Sequence, residues 1–320
     1  MLELVQDAMA VMGKLESLTS ELADLSATDR PVDPASAAAQ VERIASEISR
    51  LAFYMTEGSS IPVIQGLGPR VSSVTSNLKA VIMATLKTTL AKSSPGNDSS
   101  ASSCMHASSL IMDMEVAHTA VQDCLIQPAV ARAVTASASN APNEVVRFPA
   151  FLQSAQAELE PQIQRVNGML SHHPDLAATF DLLGTCVLGA VHSAIKCHMP
   201  GSVSPAVPDT FHRNYTAAMA FVAWLEDCSS TEGALKLLHN SEPRATFNKA
   251  WNLAVYFSLQ FQDIARSFDS HLHSAPSPAP AGGPWSFDQT QAVVEALQRC
   301  LLYTSPSPRD RTRSRMPSSA

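Results

Sequence analysis

Leu4, Ala8, Val11, Leu15, Leu18, Leu22 and Leu25 recur at alternating steps of four and three residues, the rhythm of a helix that offers one narrow apolar seam to another helix. The run Asp29-Arg-Pro-Val-Asp-Pro34 ends that pattern, because proline cannot continue a helix, and Asp33-Pro34 then supplies an N-cap followed by proline in the first turn of the next. Ala37, Val41, Ile44, Ile48, Leu51 and Met55 repeat the same spacing. Two helices, each roughly 30 to 35 Å long at about 1.5 Å per residue, are therefore expected to pair as an antiparallel, coiled-coil-like hairpin. Such a seam serves packing within the chain, or it serves another protein. Both readings stay open at this point.

Composition extends the helical reading to the whole chain. Only 12 of 320 residues are glycine, too few for sandwiches and barrels with a turn every few residues, or for glycine-rich nucleotide-binding α/β folds. With 45% hydrophobic residues the chain has apolar mass for about two units. The net charge of −7 gives no footprint for nucleic acid, which calls for clustered Lys and Arg. Positive charge gathers only at Arg309, Arg311, Arg313 and Arg315; setting residues 301–320 aside leaves 18 basic against 28 acidic residues, a net of −10.

Beyond the hairpin region, 1–92, the composition of Ser93 to Ser103 reads as a solvated Ser-rich loop. Residues 104–272 read as one or more helical bundles. Within them helices are expected at Cys104–His118 and Thr119–Thr135, a linker at Ala136–Pro142, and a helix from Pro149 to Leu170 kinked or divided at Pro161. A buried helix follows Pro174 as far as Met199, another runs from about Asp209 to Asp227, and Glu232–His239 makes one or two turns. A long helix after Pro243 should carry Phe247, Trp251, Ala254, Phe257, Phe261, Ile264, Phe268 and Leu272 on one stripe. Residues 273–285 form a Pro-rich linker, 286–300 begin a further helix, and 301–320 break from the body in composition without a cap or turn. The expected class is all-α: the hairpin, then elongated stacked helical bundles.

Chemical motifs are sparse. Neither HExxH, GxSxG, GxxxxGK[ST] nor GxGxxG occurs, and Gly66-Leu-Gly68 is followed by Pro69, whose missing N–H weakens any anion cradle. Cys104, Cys124, Cys186, Cys197, Cys228 and Cys300 are scattered singly, which fits a reducing compartment rather than a disulfide scaffold. The first seven residues hold two acids where a secretory signal would be basic and apolar, and Phe180–Ile195 is too short and too interrupted to span a bilayer. Without a signal, the acceptor patterns Asn97-Asp-Ser99 and Asn214-Tyr-Thr216 carry no glycosylation. His172, His173, Cys186, His192, Cys197 and His198 are the one grouping that passes for a metal or thiol site, yet they lack tight ligand pairs. Core cysteines and surface histidines are the plainer explanation. We expect no catalytic, cofactor-binding or metal-binding residue, no cofactor and no enzyme activity.

The run from Val41, Val-Glu-Arg-Ile-Ala-Ser-Glu-Ile-Ser-Arg-Leu-Ala-Phe-Tyr, with Ile61-Pro-Val-Ile and Pro69-Arg-Val, resembles the conserved oligomeric Golgi complex subunit 2 family. Pro208 to Glu226, Phe247 to Ala265 and, more weakly, Ala107 to Pro128 match it in the same order, so the resemblance spans about residues 1–272. These are helix-packing patterns and not a catalytic signature. The resemblance implies a rod-like subunit of a vesicle-tethering complex, peripheral on the cytoplasmic face of Golgi membranes and serving retrograde transport within the Golgi. It implies as partners the other subunits of that complex, with membrane-fusion (SNARE) proteins, Rab GTPases and golgin tethers beyond them, no nucleic acid, and indirect membrane contact. The family continues on both sides of this chain, which reads as an interior fragment; residues 301–320 match nothing in it and resemble translated adapter read-through. Leu15, Leu18 and Leu22 form the apolar face expected to meet other subunits. A generic helical adaptor unrelated to the Golgi, and a Cys/His metal or thiol enzyme, are the alternatives.

Overall fold

The computed structural model describes residues 2–27, 34–140, 144–273, 290, 291 and 293–298; residues 274–289 and 299–320, with most of the expected linker and all of the basic stretch, lie outside the described residues. Among the described residues every regular element is helical and there is no strand. The chain begins with α1 (Leu2–Ala27), α2 (Pro34–Glu57), the single turn α3 (Pro62–Gln65) and α4 (Gly68–Leu90). Next come α5 (Pro95–Leu110), α6 (Glu115–Val121), α7 (Gln127–Asn140) and α8 (Glu144–Leu170). The series closes with α9 (Pro174–Ala177), α10 (Gly189–His198), α11 (Pro208–Asp227), α12 (Glu232–Asn240), α13 (Glu242–Ala250) and α14 (Leu253–Leu272). Residues 1–202 with 216–249 form one compact unit, and 203–215 with 250–320 a second.

In the first unit α1 and α2 are antiparallel, as the heptad spacing predicts: Lys14 pairs with Glu47, and a Cβ added at Gly58 would strike the Leu4 and Ile64 side chains. The pair does not stand alone. α2 also packs against α4 and α5, so its buried set widens from a seam to Ala37, Ala38, Val41, Ile44, Ala45, Ile48 and Leu51. Burying each Val, Ile or Leu contributes about 1.5–3 kcal/mol before ordering costs. Leu15 is fully buried and Leu18 nearly so, with α1 lying against α2, α3 and α4. The face expected to meet other subunits is therefore spent inside this unit at Leu15 and Leu18; the Leu22 side chain falls outside the described residues.

The Ser-rich segment 93–103 is not a loop. α5 runs through it from Pro95, and serine composition misleads because these hydroxyls are satisfied locally. Ser94 caps the helix by accepting the Asn97 N–H at 3.3 Å, Pro95 occupies the first turn, and Asp98 suits the positive end of the helix dipole. Ser100 and Ser108 donate back to the Gly96 and Cys104 carbonyls at 2.9 and 3.2 Å, and Ser102 reaches across to the Met169 carbonyl at 2.7 Å. Small side chains at Ser100, Ala101, Ser102, Cys104, Ala107 and Ser108 give α5 a buried face that neighbouring helices approach closely.

Other boundaries shift for reasons that can be named. Met112, with φ of 55°, breaks the chain between α5 and α6 inside the expected Cys104–His118 helix. The expected Thr119–Thr135 helix holds a π-helical turn, Gln122–Ile126, immediately before Pro128, where a wider turn relieves the clash of the proline ring with the preceding carbonyls. α7 then continues to Asn140 through most of the expected linker. α8 is a single helix that begins before Pro149 and passes Pro161, since its face of Phe148, Phe151, Leu152, Ala155, Leu159, Ile163 and Val166 is buried along its length and α7 lies beside it. The helix expected from Pro174 to Met199 is split: α9 is one turn, and a π-helical turn, Leu182–Leu188, precedes α10. Asp181 caps that turn, accepting from the Gly184 N–H at 2.8 Å and the Thr185 hydroxyl at 2.7 Å, and a Cβ at Gly184 would collide with Ser241.

In the second unit the expected stripe from Phe247 is interrupted. The chain leaves helical geometry at Trp251 and Asn252, and Asn252 caps α14 by accepting the Val255 N–H at 3.2 Å, so the periodicity restarts. Tyr256, Gln260 and Ile264 become the buried positions of α14, while Phe257 and Phe261, expected in the stripe, are 44% and 71% exposed.

Arg165 fastens the first unit where α4, α5 and α8 meet. Its guanidinium donates to Asp98 through Nε and Nη2 at 2.9 and 2.7 Å, and to the Leu90 and Lys92 carbonyls at 3.1 Å, joining the end of one helix to the start of the next. Arg165→Ala is expected to cost about 2 kcal/mol, read as a lower urea midpoint at unchanged slope. Arg165→Lys, with no planar fork, should recover less than half of the loss.

Candidate functional site

The Cys and His side chains singled out in the sequence do not converge. Cys186 is fully buried on the π-helical turn, its thiol 3.7 Å from the His118 carbonyl, and His192 is buried on α10 edge-on to Phe247, ring centres 5.5 Å apart. Cys197 and His198 are exposed at the end of α10. Burial pushes the Cys186 thiol far up and the Cys104 thiol up to about 12, and the Cys228 thiol is pushed up to about 11 for the same reason. Thiols held protonated in this way are poor nucleophiles. The enclosed cavity lined by Asn167, Leu170, Phe180, Leu182 and Leu183 has about 10 Å³, room for a single water. The groove beside His192, Lys196, Glu242 and Thr246 is open to solvent.

His173 has partners that the sequence does not point to. It lies at the corner between α8 and α9, stacked on His106 of α5 with ring centres 4.2 Å apart and planes 10° from parallel. His106 Nδ1 is 2.7 Å from Glu42 Oε1 of α2. Among the described residues Glu42, His106 and His173 form the one group of three such side chains with a ligand atom each within 4.8 Å of the others. Burial lowers the His173 pKa, and the neighbouring His106 lowers it further. No spacing rule links positions so far apart, so this cluster is invisible in the sequence.

The second unit has an aromatic cluster. The Phe211 ring lies 4.7 Å from Tyr256 and 5.5 Å from Trp251, and Tyr215 is 5.6 Å from Trp251. The i, i+4 pair Phe211 and Tyr215 on one helix is the signal that could have revealed it. On α14 Phe257 and Phe261 lie one turn apart on one side of the buried line of Tyr256, Gln260 and Ile264, and Val255 and Leu259 one turn apart on the other, each of the four at least 39% exposed. Four large apolar side chains within seven residues exceed the scattered exposure usual on a protein surface.

These features describe an all-α protein whose chemistry, among the described residues, resides in packed and exposed helix faces. The family described as COG complex component, COG2, C-terminal matches residues 249–302, which carries the resemblance about thirty residues past its expected end at 272. The human protein "Conserved oligomeric Golgi complex subunit 2" is 25% identical over 276 residues, 81% of this chain and 35% of its own length. The Arabidopsis thaliana protein of the same name is 28% identical over 73% of this chain and 31% of its own length, and the Drosophila melanogaster protein 25% identical over 32% and 15%. No solved structure matches. The chain is similar to conserved oligomeric Golgi complex subunit 2 of human and Arabidopsis thaliana, and it spans about a third of the length of those two proteins.

His118, tilted against Phe180 with ring centres 4.5 Å apart, and His192 are both held below the ordinary imidazole pKa by burial. The folded chain then binds fewer protons than the unfolded chain once the pH falls through about 6.5, so stability is present above that value and is lost below it. The urea midpoint is expected to fall between about pH 7.5 and about pH 5.5, and to fall less in a His118→Gln/His192→Gln variant.

Proposed function

We propose that this chain is part of a subunit of a cytosolic multisubunit vesicle-tethering complex at the Golgi, where it scaffolds retrograde transport through helix-mediated contacts. The observation that carries the reading is the similarity to conserved oligomeric Golgi complex subunit 2 in human and plant over 81% and 73% of the chain. Two further observations support it. No helix among the described residues is long and apolar enough to cross a membrane, in keeping with peripheral association. The exposed Phe257 and Phe261, one turn apart, give one side of α14 an apolar patch of the kind that accepts an amphipathic helix, and α14 lies within the stretch matched by the COG2 C-terminal family. We assign that face to another subunit of the same complex. SNARE proteins, Rab GTPases and golgins belong to the wider form of the proposal.

The chain, tagged and expressed in cells, is expected to co-purify with other subunits of the Golgi tethering complex and to overlap Golgi markers. Phe257→Asp/Phe261→Asp should reduce that recovery about tenfold or more while far-ultraviolet circular dichroism stays unchanged, because two exposed side chains contribute little to folding. Recovery of no such subunit by the parent chain would favour a helical adaptor unrelated to the Golgi. Undiminished recovery by the folded variant would remove α14 as the contact face.

A further inference from the structure

We propose that Glu42, His106 and His173 form a binding site for a divalent transition metal of the zinc class. Two neutral imidazoles and a carboxylate are a recurrent donor set for zinc in sites that keep one position open, and the three ligand atoms here already lie within 4.8 Å of one another. Tetrahedral zinc with bonds of about 2.0–2.1 Å places its ligands about 3.3 Å apart. To close that difference the two imidazoles must also turn out of their near-parallel stack, so that a nitrogen of each faces the ion.

The ion pair between His106 and Glu42 does not account for the third member. The His173 ring, stacked on His106 with ring centres 4.2 Å apart, brings a third donor beside that pair. A cation held among all three gives each group a favourable partner.

The scaffold fixes each donor from a different element. Glu42 stands on α2 and His106 on α5, helices packed side by side. His173 sits on a corner secured by its own N–H to the Leu170 carbonyl at 3.1 Å, and the same end of α8 is tied to α5 by Ser102 on the Met169 carbonyl. Side-chain exposures of 25% for His106 and 30% for Glu42 leave a path for the ion and a position for water or a partner's ligand. A bound ion would cross-link α2, α5 and the α8–α9 corner.

The test uses the untagged full chain, stripped with chelator and titrated with zinc chloride by calorimetry. One saturable site is expected, with a rise in the thermal midpoint on zinc addition and four-coordinate d–d absorption when cobalt(II) replaces zinc. Glu42→Gln, His106→Gln and His173→Gln should each weaken binding about tenfold or more, and each keeps a polar side chain at a part-exposed position so that folding, followed by circular dichroism, is preserved. Cys197→Ser/His198→Gln should bind as the parent does. The proposal is overturned if the folded parent takes up no zinc at micromolar concentration. Uptake unchanged in a His106→Gln/His173→Gln variant, or abolished by Cys197→Ser/His198→Gln instead, overturns it equally.

Discussion

The first unit depends on α2 being covered by α1, α4 and α5 together. A helix with one seam needs one neighbour, whereas Ala37, Ala38, Val41, Ile44, Ala45, Ile48 and Leu51 form a face broad enough for three. Alanines at 37, 38 and 45 let backbones approach where longer side chains would hold them apart. Once α2 is enclosed, the helix ends around it must be tied, and Arg165 does so with one side chain that neutralises Asp98 and collects two carbonyls at the end of α4. The Glu42–His106 pair is a second consequence, since two polar residues on the packed helices meet at the margin of the buried face.

The helices were legible in the sequence wherever periodicity and capping agreed. α1 and α2 follow their apolar spacing, and α11 and α12 follow their proline and acidic starts. Legibility failed where a residue's chemistry was read without its surroundings. Serine favours loops because its hydroxyl competes for backbone groups, but in α5 that competition is resolved within the helix or across to Met169. Proline argued for breaks at 149 and 161, yet α8 continues because buried phenylalanine, leucine and isoleucine outweigh a loss of about 3 kcal/mol per interior proline. The opposite error concerns α14, where a stripe continuous on paper is cut by a cap at Asn252 that only local geometry reveals.

The candidate sites were less legible than the fold. Sequence reasoning had His173 in view but set it beside Cys186, Cys197 and His192, its neighbours in the chain, rather than Glu42 and His106, its neighbours in space. The partner face underwent a similar exchange. Leu15 and Leu18, conspicuous by their spacing, are consumed by intramolecular packing, whereas four large apolar side chains stay exposed on α14, two of them at positions whose spacing had marked them as core. An apolar pattern identifies residues that need cover and not who provides it.

The serine-lined face of α5 sets what is held constant at that crossing. Distance between backbones is fixed there by side-chain volume and by hydroxyls bonded within the helix or, at Ser102, to the backbone of α8, so the position is defined by size and not by oiliness. Alanine, serine, glycine and cysteine are near equivalents under such a rule, and leucine is excluded although it is far more hydrophobic. A stretch governed by volume is free to change its letters widely while its shape stays fixed, which leaves distant relatives of this chain hardest to recognise where their helices lie closest together.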